Sequence, residues 1–318
     1  MRLFAFIKFM LCCLCLLGPT LALAQAVSAP PNRADRVVGE TIANRPSTLY
    51  RFERHSLGSA DGKRHYRIEI SIPRAAAPDA GYPVLYMLDG NAAMDTLTGN
   101  DLAAVSASNP PVLVAIGYDT DFRNDVVARS YDYTPPVYDD NGTLIAQPIV
   151  RGRLGGGADI FLQFIISQIK PLVRERAAIN PNREYLWGHS YGGLFTLYTL
   201  FMQPDAFSRY IAGDPSAWWH DGALMHGWHA FNKRRAAGKR VAILVSGRSR
   251  AATRALPSDP APVPANSAGI DSRAAVKEIA KGLRQGGALV TYEAFPQYGH
   301  GDMIRVSLER ALQIAVEP

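Results

Sequence analysis

Tyr185-Leu186-Trp187-Gly188-His189-Ser190-Tyr191-Gly192-Gly193-Leu194-Phe195-Thr196-Leu197-Tyr198-Thr199-Leu200 reads as the end of a buried strand, a sharp turn and the start of a helix. The turn is a G-x-S-x-G motif, Gly188 to Gly192. Small residues on both sides of a serine let the chain reverse tightly and leave the hydroxyl exposed above a sheet. A helix that starts just behind the serine favours negative charge developing in front of it. Ser190 is therefore the candidate nucleophile, and the frame around it is what a nucleophile elbow requires.

Outward from this turn, apolar runs and helical patterns alternate. Tyr66–Ile72 alternates apolar and polar residues, as a half-buried strand near a sheet edge does, whereas Tyr82–Leu88 and Pro111–Ile116 are continuous apolar runs. Further strands are expected at Tyr185–Gly188, Tyr210–Ala212, Val241–Ser246 and Leu289–Phe295, and helices at about 92–107, 157–178, 191–203, 272–285 and 302–315. The alternation predicts an α/β fold, a mostly parallel central sheet with helices on both faces. Ser130–Gly156 and Arg250–Gly269 read as loops over the end of the sheet, and strand signals continue after each, so one domain is expected over 37–318.

Composition narrows the possible functions. The chain has 318 residues, 47% of them apolar, with 34 Lys+Arg against 28 Asp+Glu and a net charge of +6. Its three cysteines, Cys12, Cys13 and Cys15, all fall near the N-terminus, which excludes a disulfide scaffold and cysteine-based zinc sites in the body. Residues 1–24 have the form of a secretory signal peptide. Arg2 and Lys8 precede and flank an apolar stretch, Phe9–Leu17, and Ala22-Leu23-Ala24 is a cleavage pattern before Gln25. A flexible leader is expected at 25–36, with export to the periplasm and no stable membrane insertion once the signal is removed. No Lys/Arg run of nucleic-acid-binding type occurs, so no nucleic acid partner is expected. The mild positive excess suits an anionic small-molecule substrate.

A serine needs a base. Of seven histidines, His300 is the best placed, because Tyr298-Gly299-His300-Gly301-Asp302 follows the last strand and precedes the last helix. A loop at that point lies at the carboxyl end of the sheet, where Ser190 must also be. His226 and His229 could share a helix face, but no H-E-x-x-H pattern exists, and no metal or cofactor is expected. The orienting acid is expected after Val241–Ser246, where the chain reads Ser246-Gly247-Arg248-Ser249-Arg250 and offers no carboxylate. Asp259 and Asp271 remain, but Asp259 reads rather as a solvated loop residue and Asp271 as a helix N-cap before Ser272, so a Ser–His dyad is favoured slightly over a full triad. Tyr191, after the nucleophile, and Gly90, in the turn Asp89-Gly90-Asn91, are the expected oxyanion amides.

Several segments together carry a resemblance. They are Leu85–Asn91, Gly117–Asp121, Tyr131–Pro135, Leu186–Gly193 and Phe295–Met303. Over roughly residues 37–316 the chain resembles the esterase-D-like branch of the α/β-hydrolases. Within that branch it is most similar to the periplasmic catecholate-siderophore esterases that open enterobactin and salmochelin trilactones. The resemblance implies the α/β-hydrolase fold, Ser190 as nucleophile, His300 as base, Gly90 and Tyr191 as oxyanion amides, and tolerance of a dyad. It also implies a substrate contact at Arg129. The chain departs from the family pattern at Asp302, where proline is expected, and in a longer 250–269 loop.

The expected activity is serine-dependent hydrolysis of a ferric catecholate trilactone. Arg129 and Arg153 would meet its charge, and Trp218 or Trp219 would stack on its rings. Iron would arrive with the substrate. The rival expectations are a general carboxylesterase, thioesterase or acyltransferase of the same superfamily, and a siderophore-binding protein without turnover.

Overall fold

The computed structural model describes residues 36–139, 141–145, 148–247 and 270–317. The signal peptide, most of the 25–36 leader, Asp259 and the 250–269 loop lie outside the described residues. Eight strands form the main sheet. They are β1 (Tyr50–Gly58), β2 (His65–Pro73), β3 (Tyr82–Leu88), β4 (Val112–Tyr118), β5 (Ile179–His189), β6 (Arg209–Gly213), β7 (Arg240–Ser246) and β8 (Leu289–Phe295). Their spatial order is β1-β2-β4-β3-β5-β6-β7-β8. The pairs β1/β2 and β2/β4 are antiparallel, and every later pair is parallel. The mostly parallel sheet is what the strand–helix alternation predicts, and the α/β-hydrolase arrangement is what the resemblance implies.

The helices are α1 (Gly90–Thr96), α2 (Gly99–Ser106), α3 (Ala128–Asp132), α4 (Ala158–Phe164), α5 (Lys170–Arg176), α6 (Tyr191–Met202), α7 (Trp219–Ala230), α8 (Ser272–Gln285) and α9 (Met303–Val316). Successive strand residues point to opposite faces, so the buried strands build two cores. Val84, Tyr86 and Leu88 pack with α4, α6, α7 and α8 on one face. Leu85, Met87, Trp187 and Leu244 pack with α1, α2 and α9 on the other. With both faces covered, β3 and β4 read as unbroken apolar runs.

The structure refines the sequence reading in several places. Tyr66–Ile72 does lie near the sheet edge, one strand in, but it is buried along most of its length and not half-buried, because β1 covers it. The helix expected over 92–107 breaks into α1 and α2, since Thr98 caps α2 by accepting from Asp101 N. The expected 157–178 helix runs through a π-helical stretch, Ile165–Ile169, between α4 and α5. The 130–156 loop contains the end of α3 and two small hairpins, Val137–Tyr138 with Leu144–Ile145 and Ile149–Val150 with Arg153–Leu154.

Short α3 is held from below by one carboxylate. Asp132 is almost fully buried and accepts from Tyr66 Oη, Tyr118 Oη and Arg64 Nε, each at 3.0 Å. Burial pushes its carboxyl up to about 7 despite the Arg64 charge beside it. Removing the carboxylate would leave the buried Arg64 guanidinium short of its partner. Asp132→Ala is therefore expected to lower the unfolding free energy by about 3 kcal/mol. Urea unfolding of the variant beside the parent checks this.

Candidate active site

β5, β6 and β8 deliver three side chains to the carboxyl end of the sheet. At the end of β5 the backbone turns at Ser190, whose φ of 60° and ψ of −114° are unusual for a residue with a side chain. Such a conformation costs on the order of 1–3 kcal/mol and persists only where the surroundings hold it. Ser190 N donates to Gly213 O at 2.9 Å, while Leu194 N and Ser216 N donate to Ser190 O at 2.9 and 3.1 Å. Gly188 is required here, because a Cβ on it would collide with the Gly192 carbonyl group.

His300 sits between β8 and α9. Its turn is closed by Asp302, whose carboxylate accepts from Gly299 N at 3.0 Å and whose N donates to Gly299 O at 3.0 Å. The residue at which the chain departs from the family pattern thus shapes the histidine loop. A second clamp comes from His189, whose Nε2 lies 2.9 Å from His300 O, with the two rings 4.9 Å apart. Burial, then the neighbouring His300, pulls His189 down to about 3, so it is neutral near pH 7. Since a carbonyl only accepts, His189 Nε2 carries the proton of that bond.

His300 Nε2 lies 3.0 Å from Ser190 Oγ, and His300 Nδ1 lies 2.6 Å from Asp214 Oδ2. The third member is therefore Asp214, which corrects the preference for a dyad and the choice between Asp259 and Asp271. Asp271 is the N-cap of α8, accepting from Arg273 N at 2.9 Å. Asp214 follows β6, one strand before the position searched. It bends into positive φ (41°), and its N donates to Leu244 O at 2.7 Å. The end of β7 supplies no acid but steadies this one. Ser246 N donates to Asp214 Oδ1 at 2.9 Å, and Ser246 Oγ lies 3.0 Å from Oδ2.

Burial raises the Asp214 carboxyl, but the His300 hydrogen bond and charge and the Ser246 amide outweigh it, leaving it below the ordinary carboxylate range. Its contribution to stability is therefore present above about pH 4 and is lost as the pH falls through the folded-state value. A carboxylate can only accept, so His300 Nδ1 carries a proton and Nε2 presents its lone pair to Ser190.

A cavity of about 470 Å³ opens over this line of residues, bordered by Arg36, Asp89, Arg123, Arg129, His189, Ser190 and His300. Arg36 and Arg123 both pair with Asp95. Arg129 makes a two-pronged ion pair with Asp89, Nε to Oδ1 and Nη2 to Oδ2, each at 2.7 Å. That pair and the packing of the guanidinium over the Tyr133 and Tyr191 rings, 5.4 and 5.1 Å from their centroids, fix its position. Burial works against the Arg129 charge, but Asp89 outweighs it and raises the pKa above the usual arginine value. Nη1 has no partner among the described residues, so Arg129 holds charge in the cavity with donors to spare.

Other sequence expectations move. Tyr191 opens α6 beside Ser190, as expected. Gly90 opens α1 directly after Asp89, which borders the cavity over Ser190, and it also lines a polar cavity with Asn91 and Glu69. Its missing side chain serves packing, since a Cβ would lie 2.5 Å from Gly117 N on β4. Trp219 is core, 1% exposed, with its ring edge against Gly155. Trp218 is half-buried, 6.1 Å from the Tyr191 ring, and the arginine stacked on it at 4.4 Å is Arg151, not Arg153. Arg153 pairs with Val150 in the hairpin and is not among the residues bordering the Ser190 cavity. Among the described residues no cluster of metal-ligating side chains occurs, and no helix is long and apolar enough to cross a membrane.

Asp214, Asp89 and Arg151 were missed from sequence. For Asp214 the signal was present, as Gly213-Asp214-Pro215 directly follows the Tyr210–Ala212 apolar run. Nothing comparable marks Asp89 as the partner of Arg129, forty residues later.

Known proteins are similar to this chain in sequence and fold. The "Putative esterase" family model matches residues 59–254. An apo-salmochelin esterase of Escherichia coli O6:H1 is 34% identical over 293 residues, 92% of this chain and 87% of that protein. The ferri-bacillibactin esterase BesA of Bacillus subtilis is 36% identical over 196 residues, 58% of this chain and 65% of that protein. The solved structure of the enterobactin hydrolase IroE in complex with DFP, a serine-hydrolase inhibitor, superposes with a TM-score of 0.70 at 32% identity. That match covers 87% of this chain and 99% of the other. The chain belongs to this esterase family of α/β-hydrolases and is a carboxylic ester hydrolase.

Proposed function

We propose that this esterase opens the ester bonds of a trilactone catecholate siderophore in its ferric form. The observation that carries the reading is the Ser190–His300–Asp214 line at the floor of a cavity bordered by three arginines. A ferric catecholate is polyanionic and aromatic. Arg129 holds charge inside the cavity, and the Arg151–Trp218 stack adjoins Tyr191 beside Ser190. The names of the relatives, a salmochelin esterase and a bacillibactin esterase, agree with this substrate class. The signal-like segment 1–24 supports export to the periplasm.

In the reaction, Ser190 Oγ bonds to an ester carbonyl carbon while its proton passes to His300 Nε2. Asp214 holds Nδ1–H and steadies the imidazolium without taking its proton. The carbonyl oxygen becomes negative beside the Tyr191 amide at the start of α6, in a cavity that the Arg129 guanidinium borders, and charge nearby acts strongly in a site with little water. His300 then protonates the departing alkoxide as the ester C–O bond breaks. A water molecule repeats the sequence on the acyl-enzyme and frees Ser190. The opened product is flexible and holds iron less tightly.

Comparing kcat/KM for a ferric trilactone and for a short acyl ester tests the substrate class. A strong preference for the trilactone is expected. Equal or better turnover of the short ester would make the protein a general carboxylesterase. Trp218→Ala is expected to raise KM for the trilactone about tenfold, the worth of one lost aromatic stack, while changing kcat/KM on the short ester far less. Steady-state kinetics on both substrates check it.

A further inference from the structure

A second hydroxyl touches the reacting oxygen. Ser216 Oγ lies 3.2 Å from Ser190 Oγ, and Ser216 is 1% exposed. It is placed there by the backbone, since Ser216 N donates to Ser190 O at 3.1 Å and Trp219 N donates to Ser216 O at 3.1 Å. The turn Asp214-Pro215-Ser216 therefore carries two polar side chains to the site, one to His300 and one to Ser190.

The direction of the Ser216 bond follows from the protons around it. Asp214 can only accept, so His300 donates from Nδ1 and accepts at Nε2. The single Ser190 proton must then point to His300 Nε2. Ser190 Oγ has no second proton to offer, so Ser216 is the donor in the remaining bond. The reverse arrangement would set the lone pair of His300 Nδ1 against the Asp214 carboxylate.

We propose that Ser216 is a further catalytic residue, whose O–H donates to Ser190 Oγ and stabilises the negative charge that this oxygen carries whenever its bond to carbon is forming or breaking. The proposal rests on Ser190 being the nucleophile. In acylation the Ser190 proton goes to His300, the new Oγ–C bond forms and the substrate alkoxide leaves with the proton from His300. Ser216 keeps its own proton throughout. In deacylation water bonds to the acyl carbon and gives its proton to His300. The Oγ–C bond breaks, and Oγ regains a proton from His300. At both stages Oγ passes through a charged form, and a hydrogen bond to a charged oxygen is stronger than one to a neutral hydroxyl. The same bond holds the Ser190 side chain toward His300 in the resting enzyme.

The test uses the full chain and a chromogenic aryl acetate, with acylation read from the burst and deacylation from the steady state. Ser216→Ala is expected to slow both steps roughly tenfold to a hundredfold with little change in KM, the range of a lost bond to charge. Ser216→Cys keeps nearly the same shape and offers only a weak donor, so it is expected to slow both steps as well. A purely structural role predicts wild-type kcat for Ser216→Cys, and that result overturns the proposal, including where Ser216→Ala fails to fold. Wild-type rates in folded Ser216→Ala, or a loss confined to KM, overturn it equally. Ser190→Ala is assayed alongside. If Ser190→Ala is inactive while the Ser216 variants keep kcat, this proposal alone fails. If Ser190→Ala keeps its activity, the nucleophile assignment fails with it.

Discussion

Asp214→Asn is expected to cut kcat by about three to four orders of magnitude while leaving KM nearly unchanged. Asn is close in shape to Asp, so the fold and the Ser246 contact should persist. What changes is the proton pattern. An amide nitrogen facing His300 Nδ1 would donate where the carboxylate accepts. The imidazole would then carry its proton on Nε2 and could not take one from Ser190. The imidazolium formed during attack would also lose its counter-charge. Asp271→Ala should cost about 1 kcal/mol of stability through the lost helix cap and little activity, because Asp271 contacts Arg273 N and not His300. A loss of less than tenfold for Asp214→Asn, by steady-state kinetics, would mean that the chain works as a dyad despite the 2.6 Å contact.

Ser190→Ala is expected to lower kcat by four orders of magnitude or more, to roughly the residual level left by an intact oxyanion site and binding surface. The substitution removes one oxygen from a position whose backbone is held independently, through Gly213 O, Leu194 N and Ser216 N. The strained turn has no dependence on the hydroxyl, so the variant should fold and bind substrate with the affinity of the parent. Binding of a ferric catecholate by fluorescence quenching, beside a turnover assay, separates the two properties. Loss of binding together with turnover would place Ser190 in the architecture of the cavity and not in its chemistry.

Much of this site was legible because the responsible signals are local. The elbow announces itself through glycines that a tight strand-to-helix turn cannot replace, and His300 through its place between the last strand and the last helix. Strands β3 and β4 were readable because both their faces are covered, which leaves no polar positions. β1 was not, because as an edge strand it carries charged residues such as Arg51, Glu53 and Arg54 along its length. The errors at the site share one cause, which is that a side chain's direction is set by packing distant in sequence. Trp219 and Trp218 are adjacent in the chain, yet one enters the core and the other reaches Tyr191. Arg129 does border the cavity over Ser190, and what the sequence did not show is that Asp89 grips two of its nitrogens and fixes it there. Asp214 was overlooked because the acid was sought after β7, where Ser246 instead supports an acid from β6.

The most direct measurement is product analysis by chromatography and mass after incubation of the chain from Gln25 onward with ferric enterobactin, with Ser190→Ala in parallel. Linear trimer, dimer or monomer of the dihydroxybenzoyl-serine unit should form with the unmutated protein and not with the variant. Intact trilactone in both samples, while the unmutated protein still cleaves a simple aryl ester, would contradict the siderophore assignment and leave only the esterase.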